Sequence, residues 1–130
     1  MDPLPRRPRS HPGPLAALLG AILGLACCPG AGRAHTFPDH SEPRVGHAVA
    51  APPAVRIWFD GAIEPVFSTI RVEDEGKRRV DRGDGRVSAQ DATLLEVTLP
   101  VLPAGTYRVY WSVIARDGHR TEGTFRFRVR

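Results

Sequence analysis

Two places in the chain carry nitrogen donors in a pattern that suits a metal ion: His35, and the tripeptide Asp117-Gly118-His119. His35 matters because of what precedes it. Arg6, Arg7 and Arg9 lead into an apolar run, Leu15 to Ala26, followed by the small and turn-forming residues Pro29 to Ala34. A basic start, a short apolar centre and a small-x-small end (Gly32, Ala34) have the form of a secretory leader. Twelve apolar residues fall short of the roughly 18 needed to span a bilayer. Cleavage after Ala34 makes residues 1–34 a removed leader and His35 the first residue of an exported domain, 35–130.

A histidine at an N-terminus offers one metal two nitrogens, its free amine and its own Nδ1, closing a six-membered chelate ring. One further imidazole completes a T-shaped nitrogen set, which suits Cu(II). His119 is the candidate third nitrogen. Gly118 lets the turn before it bend tightly, so that Asp117 and His119 can point to one side. Asp117 then offers a carboxylate oxygen, either as a weaker ligand or as an acceptor behind the imidazole. Amine and imidazoles must shed protons to bind metal, so affinity is expected to fall with pH. His40 and His47 are read as surface residues.

Composition narrows the rest. The leader holds four arginines and one acid, so residues 35–130 carry 14 basic and 13 acidic side chains and a net charge of +1. The overall +4 therefore makes no case for nucleic acid. Cys27, Cys28 and Met1 all lie in the leader, which leaves the domain without thiol or thioether donors for Cu(I) and without a disulfide. Arg82-Gly83-Asp84 matches an adhesion tripeptide but sits in a Gly-rich turn.

The elements that must position these residues are strands. Val55–Phe59, Val66–Val72, Thr93–Leu99, Thr106–Ile114 and Thr124–Arg130 alternate or are rich in β-branched residues. Turn residues separate them at Asp60-Gly61, Glu75-Gly76, Gly83-Asp84-Gly85, Pro103-Ala104-Gly105 and Asp117-Gly118. About seven short strands in one domain predict an all-β fold, a seven-stranded Greek-key β-barrel or sandwich of immunoglobulin-like kind. Trp111, Phe125 and Phe127 are its expected core.

These residues together resemble the CopC family of periplasmic copper-binding proteins, whose mature chains begin H-A-x-L-x-x-S-x-P-x-x-G. Here His35-Thr36-Phe37, Ser41, Pro43 and Gly46 stand at those places. Val55–Phe59 with Glu64–Ser68, Leu102–Trp111, Ser112–His119 and Gly123–Val129 resemble later family segments in order. The resemblance implies a periplasmic protein that binds one Cu(II) per mature chain through His35, His119 and Asp117. It implies a carrier or buffer in copper homeostasis or resistance rather than an enzyme, with a separate CopD-like inner-membrane copper transporter as a possible partner; a monomer is expected. Asp60-Gly61 occupies the stretch where some members place a further Glu ligand. The competing readings are a copper monooxygenase using the same histidine brace, and a metal-free accessory sandwich.

Overall fold

The computed structural model describes Met1 and residues 36–130. The leader and His35 lie outside the described residues. Eight strands follow in order: β1 (Pro38–Glu42), β2 (Ala48–Val49), β3 (Ala54–Phe59), β4 (Thr69–Glu73), β5 (Arg86–Val87), β6 (Leu94–Thr98), β7 (Gly105–Ile114) and β8 (Arg120–Val129). They form two four-stranded sheets, ordered β1-β3-β6-β5 and β2-β8-β7-β4. The chain changes sheet repeatedly, and every pairing is antiparallel except β2 with β8.

The all-β expectation holds, and of its two forms, barrel or sandwich, the molecule takes the sandwich, because the two sheets do not close on one another. The strand count rises from seven to eight because β2 and β5 are two residues long, too short to show a period. Val66 and Phe67 need a correction. They are exposed in the turn before β4 rather than part of it. Pro65 precedes them, and the neighbouring backbone is spent on the hairpin, where the Glu64 N–H donates to the Ile114 carbonyl at 2.7 Å.

Alternation decides which side chains meet between the sheets. Val55, Ile57 and Phe59 of β3, Leu95 and Val97 of β6, Tyr107, Val109 and Val113 of β7, and Phe127 and Val129 of β8 are buried together. Trp111 and Phe125 pack against that core from its edge, half-buried. Gly123 is required there: a Cβ at that position would stand 2.6 Å from Cζ2 of Trp111. The exposed edge of β4 is covered by the loop after it. The Val72 N–H donates to Oδ2 of Asp81 at 2.8 Å, and Gly85 passes so close that a Cβ would lie 2.9 Å from the Ile70 carbonyl oxygen.

Candidate metal centre

The long ladder between β7 and β8 runs from Gly105↔Val129 to Ile114↔Arg120 and delivers residues 115–119 to one end of the sandwich. The loop is closed by two backbone bonds, from the Ala115 N–H to the His119 carbonyl and from the Gly118 N–H to the Ala115 carbonyl, each 2.9 Å. Gly118 has φ of 89°, a left-handed conformation that a residue with a Cβ resists. The sequence thus builds a three-residue hairpin loop whose last member must be glycine.

Within that loop the Asp117 carboxylate does two things. Its Oδ1 accepts the His119 backbone N–H at 3.0 Å, and its Oδ2 lies 3.2 Å from Nδ1 of the His119 ring. Both side chains are partly open to solvent, His119 at 55% and Asp117 at 38%. A carboxylate against Nδ1 favours the tautomer protonated there, which places the ring's lone pair on Nε2. An imidazole backed in this way is fixed in orientation and made a stronger donor toward a metal.

A second set of contacts brings the start of the described chain to the same end. Thr36 is buried, and its carbonyl accepts the Thr121 hydroxyl at 2.7 Å, two residues beyond His119. The Phe37 N–H donates to Oδ1 of Asp60 at 2.9 Å, and the Asp60 N–H donates back to the Phe37 carbonyl at 3.0 Å. Gly61 leaves room for the Thr36 side chain, whose Oγ1 would stand 3.3 Å from a Cβ there. Ile63 bridges Ala115, and the Ser68 hydroxyl accepts the Ile114 N–H at 3.3 Å. Asp60-Gly61, which replaces a possible ligand stretch, therefore serves as a clasp for residues 36 and 37. Sequence reasoning missed this clasp, and only the turn dipeptide hinted at it.

Of the three expected ligands, the structure brings Asp117 and His119 together, whereas His35 lies outside the described residues. Among the described residues no group of three or more His, Cys, Asp or Glu could hold a metal ion. His40 is on the surface as expected, 54% exposed, with Nδ1 2.9 Å from Asp39 and its ring stacked on Trp58 at 4.5 Å. That stack was not anticipated. His47 is exposed too, and its carbonyl accepts the Arg128 N–H at 2.9 Å. The Arg82-Gly83-Asp84 tripeptide is structural: the Asp84 carboxylate takes the Thr98 hydroxyl at 2.6 Å and the Thr98 N–H at 2.9 Å.

Comparisons with known proteins agree with one another. The model of the CopC domain family matches residues 39–130. Protein YobA of Escherichia coli K12 is 32% identical over 99 residues, 75% of this chain and 80% of its own. Copper resistance protein C of Escherichia coli is 27% identical over 118 residues, 85% of this chain and 91% of its own. Among solved structures, CopC from Methylosinus trichosporium OB3b superposes with a TM-score of 0.68 at 33% identity, covering 73% of this chain and 93% of that one. The methionine-rich copper resistance protein PcoC of Escherichia coli gives 0.64 at 28% identity, covering 75% and 100%. With a family match over most of its length and the same fold in its relatives, the chain belongs to the CopC domain family.

Proposed function

We propose that this protein is an exported, periplasmic Cu(II) carrier or buffer in copper homeostasis or resistance, taking one Cu(II) per processed chain as cargo. The observation that carries the reading is the His119–Asp117 pair at the hairpin tip, with Thr36 fastened to Thr121 two residues away. A residue joined to Thr36 by a trans peptide has its Cα about 3.8 Å from that of Thr36. Processing before His35 would therefore put a free amine and a second imidazole beside the same hairpin. The names of the relatives, among them a copper resistance protein, support copper as the metal.

His35 would supply its amine and Nδ1, and His119 its Nε2. The 3.2 Å contact between Asp117 and Nδ1 of His119 favours Asp117 as the acceptor behind the imidazole over Asp117 as a direct ligand. Its negative charge favours the higher oxidation state, which suits storage and transfer of Cu(II) and opposes redox turnover. Residues 35–130 contain no Cys or Met to hold Cu(I). On these grounds we read the protein as a binding protein rather than an enzyme, and a CopD-like membrane transporter is the class of partner that would exchange copper with it.

Intact mass spectrometry of the exported protein, with and without Cu(II), tests this. The expected result is a chain beginning at His35 that gains one copper. His35→Ala and His119→Ala should each weaken binding by at least about 100-fold, whereas His47→Ala should bind like the parent. A chain that starts elsewhere, or a His119→Ala variant with parental affinity, overturns the reading.

A further inference from the structure

The outer face of the β2-β8-β7-β4 sheet holds a surplus of positive charge that the copper reading does not use. Alternation along the strands points Arg120, Arg126 and Arg128 of β8, Arg108 of β7 and Arg71 of β4 to that side, against Glu122 and Glu73 on the same strands, while Asp74, Glu75 and Lys77 of the turn after β4 border Arg108 and Arg126. The strands of this face thus carry three positive charges in excess, on a domain whose net charge is +1, so the remainder of residues 36–130 is negative. Arg71 is engaged, stacked 4.4 Å from the Tyr110 ring and paired with Glu73 at 3.0 Å. Arg120 donates to the Ser112 hydroxyl at 2.8 Å. Arg108, Arg126 and Arg128 form no ion pair among the described residues.

Arg108 and Arg126 stand directly opposite each other in the ladder. Like charges at facing positions destabilise a sheet. A layer of anions laid on the face would relieve that repulsion. Backbone positions in a sheet repeat about 4.8 Å across strands and about 7 Å along one face of a strand, so Arg126 with Arg108 beside it and Arg128 beyond it form a two-dimensional array rather than a line. A single extended chain of anions would engage one row of such an array, whereas a plane of phosphates engages all of it, each guanidinium donating to two phosphate oxygens. We propose that this face docks the protein on the anionic phospholipid headgroups of a membrane surface.

The test is co-sedimentation of the purified protein with sucrose-loaded vesicles, either pure phosphatidylcholine or phosphatidylcholine mixed equally with phosphatidylglycerol. The readout is the difference between the two. The expected result is extra binding to the anionic vesicles that high salt disperses. Replacing Arg108, Arg126 and Arg128 by Gln should lower that binding on the order of 100-fold. Replacing the exposed Arg44, Arg82 and Arg116 by Gln, an equal change in net charge elsewhere, should lower it by less than about tenfold. The first triple variant should also melt no lower than the parent, because it removes the facing pair. Equal loss in the two triple variants, equal binding to both vesicle types, or capture by polyglutamate but not by anionic vesicles overturns the proposal.

Discussion

Thr121 does more for the hairpin end than its unremarkable type suggests. Its hydroxyl holds the Thr36 carbonyl, and with it the segment that leads back to residue 35. Thr121→Val keeps the shape and removes the donor. The expected cost is about 1 kcal/mol of stability, with a several-fold loss of Cu(II) affinity while His119 and Asp117 remain in place. Isothermal titration with Cu(II) and thermal melts of the apoprotein measure the two effects. Unchanged affinity would mean that the clasp does not position the metal-binding end. At this scale the sequence singles out His35, Asp117 and His119 as candidates, and the structure sets the Asp117 carboxylate against the His119 ring. The sequence did not reveal Thr36–Thr121, since a hydroxyl bonded to a carbonyl 85 positions away leaves no periodic trace.

Among the elements, the legible ones were those with a wet and a dry face. β3, β6, β7 and β8 alternate over five residues or more, and the structure places them within a residue or a few of their expected bounds. β1 was missed because Pro38-Asp39-His40-Ser41-Glu42 is polar and buries only Ser41. β4 starts at Thr69 rather than Val66 because β-branched content alone does not fix where a strand begins, and Val66 and Phe67 are exposed in the turn before it. The loop that covers β4 depends on Asp81, whose side chain is fully buried. It accepts from the N–H groups of Val72 and Gly83 and pairs with Arg79 at 2.9 Å. Asp81→Ala leaves those donors and one guanidinium without their acceptor, and should cost about 3 kcal/mol in a chemical-denaturation experiment. A loss within error would show that the loop folds onto β4 without it.

For the molecule as a whole, acid stability follows from carboxylates used as turn acceptors. Asp84 is held below its ordinary value of 3.8 by the Thr98 hydroxyl and then its N–H, and Asp91 likewise by Thr93. The Arg78 backbone N–H is the leading cause for Asp74. Depressed folded-state values contribute stability that is complete above the unfolded value and is lost as pH falls through the folded one. Melting temperature should therefore hold down to about pH 4 and drop below it, with a shallower drop in Asp84→Asn. An equally steep acid limb in that variant would place the titration elsewhere. Whether two sheets close into a barrel was not legible, because alternation counts faces and carries no information about closure. The pairing of β8 between β2 and β7 has one last consequence. Until residues 120–129 have left the ribosome, β2 has no neighbour, β7 lacks half its ladder, and Phe127 and Val129 are missing from the interior. The β2-β8-β7-β4 layer is therefore the part of the sandwich that assembles last, and the apolar side chains of β7 stay uncovered until its final strand is available.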